Sequence, residues 1–318
     1  MPPIVEVRDL TKRYKGAETN AVDGVSFDVA PGELFALLGP NGAGKTTTIS
    51  ILTTTLAPTS GTVRIAGHDL ATEAAAVRRE VGIIFQKPSL DLNLSAEENV
   101  RFHAVLYGLY PFRPSFRLMP AAYRTQVREL AALLGIEREL SKPVKTFSGG
   151  MRRKLEIVRS LLHRPRVLFL DEPTVGLDPA SRRALWDELT ATREEHGVTV
   201  FLTTHYLDEA EQADTICIVK GGRVVAQGSP DKLKAELLQA SLVVDAADRD
   251  RLRAELTGIG LPFTETPRFR VELNGQGAHA LLKRIETPLT VVQSHAPSLE
   301  DAYLAIVADG AEETEVTA

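Results

Sequence analysis

The sequence predicts an α/β fold, followed by a small α+β domain, and three observations carry this. After residue 33, short apolar runs alternate with helical stretches, the pattern of buried strands joined by helical crossovers. One such run leads through the glycine-rich string Gly39-Pro-Asn-Gly-Ala-Gly-Lys-Thr-Thr into a helix. A second strand and helix series begins at Leu242, after the composition turns helical and polar beyond Gly228. With 318 residues the chain has room for two domains at roughly 100–200 residues each.

In chain order, apolar and β-branched runs predict strands at Ile4 to Val7, Val25 to Val29 and Leu34 to Leu38. The helix that follows the glycine loop is expected over Lys45 to Leu56. Strands follow at Thr62 to Ala66 and Val81 to Phe85. A mostly helical block, about 95–163, then interrupts the alternation, with helices at Ser95 to Tyr107, Ala122 to Leu134 and Gly149 to His163. Three prolines between Tyr107 and Tyr123 forbid a continuous helix there. Alternation resumes with strands at Val167 to Leu170, Val198 to Thr203 and Thr215 to Val219, and helices at Pro179 to His196 and Tyr206 to Ala213. The second series reads strand (Leu242 to Asp245), helix (Asp248 to Leu256), strand near Phe263, strand (Arg268 to Leu273), helix (Ala278 to Ile285), strand (Leu289 to Gln293) and a closing helix from Ser298. Gly258, Gly260, Pro262, Asn274-Gly275 and Pro288 punctuate it. That order is a split βαβ, ferredoxin-like pattern. The expected division is 1–238 and 239–310, with a flexible acidic tail at 311–318.

Composition bounds the function. Hydrophobic residues make up 43 % and charged residues 25 %, the profile of a globular protein rather than a disordered or collagenous one. No run approaches the 18 or so apolar residues that cross a bilayer, and MPPIVEVRDL lacks the basic start and apolar stretch of a secretory signal. Cys217 is the only cysteine, so an internal disulfide or multi-cysteine metal site is excluded and a reducing compartment fits. A net charge of −5 argues against nucleic acid as a partner.

The glycine string matches G-x-x-x-x-G-K-[ST] between a strand and a helix, where a phosphate loop must sit. Glycines let the backbone wrap phosphates and helix-start N–H groups point inward, while Lys45 reaches the β/γ-phosphates and Thr46 offers a hydroxyl to Mg²⁺. Downstream, Val167 to Leu170 ends in Asp171-Glu172. Two acids at the carboxyl end of a buried strand need a reason, because unpaired buried carboxylates are costly. Beside a phosphate loop, Asp171 would hold the Mg²⁺ shell and Glu172 would orient and deprotonate the attacking water. Ser148, Gly149 and Gly150 open an Arg- and Leu-rich helix, either as a second anion site or as a simple N-cap. One phosphate loop and a second phosphate-binding helix start per chain suggest that the second closes on a nucleotide held by another subunit.

At this point the chain resembles the nucleotide-binding subunit of an ATP-binding-cassette (ABC) transporter over about residues 4–228. The resemblance rests on six motifs in order: the loop at Gly39 to Thr47, Gln86 at the glutamine loop, FSGGM at 147–151, VLFLDE at 167–172, GLD at 176–178, and His205 as the switch histidine. It implies a P-loop ABC cassette with a mixed sheet core, a helical subdomain and an antiparallel β subdomain. It also implies ATP and Mg²⁺ held by Gly39, Pro40, Asn41, Gly42, Ala43, Gly44, Lys45, Thr46 and Thr47, with Tyr14 stacked on adenine. By the same resemblance Gln86 senses Mg²⁺ and the permease, His205 contacts the γ-phosphate, and Asp178 belongs to the dimer-contact loop. The implied partners are an integral-membrane permease and a second copy of the chain, sandwiching ATP at the cytoplasmic face of the cell membrane.

Phe147 and Met151 depart from the family's commonest signature, Leu-Ser-Gly-Gly-Gln, while Ser148, Gly149 and Gly150 keep it. FSGGM, TTHYLDEAE and the C-terminal SLEDAYLAI are similar to the drug-resistance exporter branch, whose type is the daunorubicin-resistance ATPase. The segment 107–123 is longer than the family's usual subdomain, and its five aromatics, with Arg113, Arg117 and Arg124 nearby, could meet headgroups or a permease loop, or fold over one another. Two functional readings stand side by side: the ATPase motor of an exporter, and a non-transport ABC ATPase clamping a macromolecular partner.

Overall fold

A computed structural model describes residues 2–86, 89–237, 241–265, 267–273, 277–295 and 298–304. The expected Asn274-Gly275 turn and the tail at 311–318 lie outside these residues. Contacts divide the chain into two units, Met1–Gln227 and Gly228–Ala318, where the sequence suggested a line at 238.

The first unit opens with strands β1 (Val5–Lys12), β2 (Val22–Val29) and β3 (Leu34–Leu38), then helix α1 (Lys45–Leu52). Next come β4 (Ser60–Ile65), β5 (His68–Asp69), α2 (Ala74–Glu80) and β6 (Val81–Ile84). The helical block holds α3 (Ala96–Leu106), α4 (Ala121–Leu133) and α5 (Gly149–Leu161). After it run β7 (Val167–Asp171), α6 (Pro179–His196), β8 (Thr199–Thr204), α7 (Leu207–Ala210), β9 (Thr215–Lys220) and β10 (Arg223–Gly228).

Two sheets share this unit. One is four-stranded with order β2-β1-β4-β5, its neighbours antiparallel. Val5, Val7 and Leu10 of β1 and Val25, Phe27 and Val29 of β2 are buried, whereas Arg8 and Asp28 face solvent, the alternation of a sheet covered on one face. The other is six-stranded with order β10-β9-β3-β8-β7-β6, and β9, β3, β8, β7 and β6 pair in parallel. Every residue of β3, β7 and β8 is buried, which is why β3 and the first four residues of β7 read as unbroken apolar runs, while β8 buries Thr199, Thr203 and Thr204 with its apolar residues. Phe27 stacks on Phe35 with ring centroids 5.2 Å apart and Phe35 on Phe201 at 5.1 Å, knitting the antiparallel sheet to the parallel one.

Expected and observed elements differ in identifiable places. Helix α1 stops at Leu52 rather than Leu56, where a run of threonines follows and Thr54 adopts a φ of 61°. The helix expected at Tyr206 to Ala213 shortens to α7. Three elements were not foreseen: β5, too short to pattern, α2, whose sole buried residue is Val77, and β10, which alternates only between exposed and half-buried residues.

In the second unit, α8 (Pro230–Leu237) precedes β11 (Ser241–Ala246), α9 (Arg249–Ile259), β12 (Phe263–Thr264), β13 (Phe269–Glu272), α10 (Ala278–Leu282) and β14 (Leu289–His295). The sheet order is β12-β13-β11-β14 with antiparallel neighbours. Strand, helix, strand, strand, helix, strand in chain order, with the first and third strands central, is the arrangement of a split βαβ unit. Leu242, Val244, Leu252, Leu256, Phe269, Val271 and Leu281 form its core, and residues 299–304 are helical.

The helical block carries a titratable weak point. The His103 ring lies 4.2 Å from that of Tyr107, and Tyr107 lies 4.9 Å from His163. Burial, reinforced by Arg159 and His163, pushes His103 down to about 3 from 6.5, and burial lowers His163 as well. Below pH 6.5 the unfolded chain binds a proton that folded His103 refuses, so stability is full above that pH and drains away as pH falls towards 3. The thermal midpoint should therefore drop between pH 7.5 and 5, and His103→Gln should flatten the slope; an unchanged slope in that variant would contradict the assignment.

Candidate functional site

Strand β3 delivers the chain into the loop at 39–44, and α1 starts at Lys45. Gly44 has a φ of 100° and a Cβ there would meet the Ala21 carbonyl at 2.4 Å, while one at Gly39 would meet the Val219 carbonyl at the same distance. Only glycine lets the loop fold this tightly. Ala21, residues 41–47 and Glu172 line a cavity of about 290 Å³. Lys45 is buried, and its Nζ donates to the carbonyls of Gly39 at 2.7 Å and Pro40 at 3.1 Å. Burial lowers its pKa against the pull of Glu172 and Asp171. Thr46 is exposed.

The carboxyl end of β7 supplies the acids. Asp171 lies opposite Thr203 of β8 in the parallel register. The Thr203 hydroxyl donates to Asp171 Oδ1 at 2.6 Å and accepts from the Glu172 N–H at 3.1 Å. Burial pushes the Asp171 carboxyl upward, with the Thr203 bond opposing. Glu172 has a φ of 44°, a left-handed conformation that costs a non-glycine residue on the order of 1–3 kcal/mol. Its carboxylate gathers three predicted residues. Gln86 Nε2 donates to Oε2 at 2.9 Å, His205 Nδ1 lies 3.2 Å from Oε1, and Lys45 Nζ lies 3.7 Å from Oε1. A carboxylate so held, beside an ammonium and a phosphate-sized loop, is equipped to take a proton from water while the cation offsets phosphate charge.

Tyr14, 45 % exposed, shares a hydrogen bond of 3.2 Å with the Thr47 hydroxyl, which sets its ring beside the loop. Ser148, Gly149, Gly150 and Asp178 are not among the cavity's lining residues. Ser148 Oγ accepts from the Met151 N–H at 3.2 Å and caps α5, as the simple N-cap reading has it. Asp178 caps α6 through the N–H groups of Ala180 and Ser181, and a Cβ at Gly150 would lie 3.2 Å from Ser181 Oγ. The two helix starts therefore pack on each other within one chain.

Sequence reasoning missed the supports. Arg153 of α5 is buried, and its guanidinium donates to the carbonyls of Phe85 at 2.7 Å, Pro173 at 2.8 Å and Glu172 at 3.4 Å while pairing with buried Glu156 at 2.9 Å. It thus ties α5 to the backbone just before Gln86 and at Glu172. Buried Glu209 accepts from the hydroxyls of Thr174 and Thr204. The one available signal was an arginine and a glutamate at apolar-facing positions of α5.

The ABC transporter family profile matches residues 22–175. The daunorubicin/doxorubicin resistance ATP-binding protein of Streptomyces peucetius is 38 % identical over 97 % of this chain and 94 % of its own length. The chain belongs to the ABC transporter family. It is an ABC ATP-binding subunit, the ATPase motor of an exporter: it hydrolyses ATP, hydrolysis is linked to transport, and it works with a membrane permease. A second relative, the Nod factor export ATP-binding protein I of Ralstonia nicotianae, is 38 % identical over 86 % of this chain and 80 % of its own. Among solved structures, an ATP-binding subunit of an ABC transporter superposes with a TM-score of 0.63 at 35 % identity, covering 73 % of this chain and 92 % of that one. An ABC cassette solved as a post-hydrolysis dimer with ADP and Pi superposes at 0.62 with 28 % identity, covering 71 % and 98 %. Among the described residues no helix is long and apolar enough to cross a membrane.

Proposed function

We propose that two copies of this ABC subunit sandwich two ATP molecules and drive a separate permease that exports drug-like or other amphipathic compounds. The convergence of Lys45, Gln86 and His205 on Glu172 carries the hydrolytic part of this reading. Tyr14 stacks on adenine, Gly39 to Thr47 wrap the phosphates, and Lys45 faces the β/γ-phosphates. A water oxygen attacks the γ-phosphorus, Glu172 accepts the proton it sheds, and the bond to the β-phosphate oxygen breaks to leave ADP and phosphate. His205 contacts the γ-phosphate and keeps the Glu172 carboxylate turned towards it.

Thr46, Gln86 and Asp171 are the residues that would hold Mg²⁺. Hydroxyl, amide and carboxylate oxygens suit so hard a cation. Among the described residues no three of His, Cys, Asp and Glu gather to hold a metal alone, so phosphate and water oxygens would complete its shell. When bound, it neutralises charge on the phosphates.

Ser148, Gly149, Gly150 and Asp178 act across the seam, where the N-terminus of α5 meets the partner's nucleotide. The subunit sits peripherally on the cytoplasmic face through the permease. The segment 239–310 holds none of the phosphate-binding or acidic motifs and serves assembly rather than hydrolysis. The relatives' names are those of exporter and resistance proteins, which favours export over a macromolecular clamp. Sedimentation of Glu172→Gln protein tests the sandwich: it should be monomeric without nucleotide and dimeric with ATP. A monomer with ATP and permease both present would overturn it.

A further inference from the structure

The thirty residues 99–128 contain five arginines and no Asp, Glu or Lys, in a chain whose net charge is −5. Arg101 is consumed internally: it is buried, pairs with Glu97 at 3.1 Å and Glu98 at 3.7 Å, and donates to the Arg113 carbonyl at 2.6 Å. Arg113 and Arg117 make no ion pair among the described residues, whereas Arg124 donates to the carbonyls of Arg117 at 2.7 Å and Met119 at 2.9 Å, and Arg128 lies over the Phe116 ring in a cavity it shares with Glu97, Glu98 and Glu137.

The same stretch sorts its apolar side chains into two groups. Tyr110 and Phe116 turn inward, edge-on to buried Tyr123 with ring centroids 5.4 and 6.0 Å away. Phe102, Leu106, Tyr107, Phe112 and Leu118 stay in solvent, with Leu106 85 % and Phe112 53 % exposed. Phe102 and Leu106 share a face of α3 one turn apart, and Phe112 stacks on Phe102 at 6.2 Å. Arg113 follows Phe112 directly, and Leu118 sits beside exposed Arg117. Folding thus buries what the local core needs and leaves bulky apolar groups outside, interleaved with unpaired cations.

We propose that this face, formed by the end of α3 and the loop 107–120, rests on the anionic lipid surface next to the permease. Its apolar side chains enter the headgroup boundary and Arg113 and Arg117 meet phosphate groups. Apolar anchors flanked by arginines, with no carboxylates among them, are the chemistry that an anionic bilayer surface recognises. The contact is separate from the ATP site and stands whether or not the nucleotide is shared between chains.

Flotation of the full chain with vesicles of phosphatidylglycerol and phosphatidylcholine, against phosphatidylcholine alone, tests it. Binding should need phosphatidylglycerol and weaken in 0.5 M salt. Arg113→Gln with Arg117→Gln should lower binding on the order of 30-fold, at about 5-fold per arginine. Leu106→Ser with Phe112→Ser should lower it at least as far. Both pairs should keep the wild-type circular dichroism spectrum and ATP turnover, since these side chains lie in solvent. No binding to anionic vesicles, or equal binding by the variants, overturns the proposal. So does loss of permease co-purification in lipid-free detergent by variants that still bind vesicles, which would give the face to the permease.

Discussion

Glu172→Gln is expected to lower ATP turnover on the order of 10²–10⁴-fold, the loss that follows removal of a general base, while ATP binding persists. The amide keeps the size of the carboxylate and can still accept from Gln86 Nε2, 2.9 Å away in the native site, but it cannot take the proton that the attacking water sheds. The P-loop and Lys45, proposed to bind the phosphates, are untouched. Turnover near wild type would move the base elsewhere, with His205, 3.2 Å from the Glu172 carboxylate, the first suspect.

The largest expected effect on stability falls at Arg153. Its side chain and that of Glu156 are 6 % and 1 % exposed and 2.9 Å apart, and Glu156 Oε1 also accepts from the Ser89 N–H at 2.9 Å. Removing one member of a buried pair strands the other charge, at a cost of about 3–5 kcal/mol. Arg153→Ala also orphans the carbonyls of Phe85 and Pro173. Arg159, 4.0 Å from Glu156, offers partial compensation, so the lower end of that range is expected in urea unfolding. Arg153→Met with Glu156→Gln should recover part of the loss, because the Glu156 charge is no longer stranded, but not all of it, because Arg159 then loses its carboxylate. A loss below about 1 kcal/mol for Arg153→Ala would mean that the pair is solvated in solution.

The legible and illegible parts of this molecule divide along a physical line. Phosphate chemistry requires particular residue types at fixed spacing, so Gly39 to Thr47, Asp171, Glu172, Gln86 and His205 stood out along the chain, and four of them meet at one carboxylate. Strand β3 and the body of β7 were legible because burial on both faces leaves no polar interruption, and β8 through Val200, Phe201 and Leu202 between β-branched threonines. What escaped depends on contacts distant in sequence. Thr203 matters through its register opposite Asp171, and Arg153 through carbonyls nineteen, twenty and sixty-eight positions away. Helix α2 has a single buried residue and so no apolar stripe to betray it. The 107–123 segment left two readings open because sequence alone could not sort its aromatics, whereas packing sends Tyr110 and Phe116 onto Tyr123 and leaves Phe112 outside.

The central claim is that each chain completes the other's ATP site, and mixing two damaged subunits tests it most directly. Lys45→Ala weakens the phosphate loop and Ser148→Arg blocks the start of α5, so dimers of either kind alone have a defect at both sites. A mixed dimer has both defects at one site and an intact second site. With Glu172→Gln in both backgrounds to stop hydrolysis, the ATP that stays with the dimer through gel filtration reports intact sites. The mixture should retain nucleotide that neither variant holds alone. Retention no greater in the mixture than in the separate variants would contradict the account, and so would full retention by Ser148→Arg alone, because the second helix start would then have no part in holding the partner's ATP.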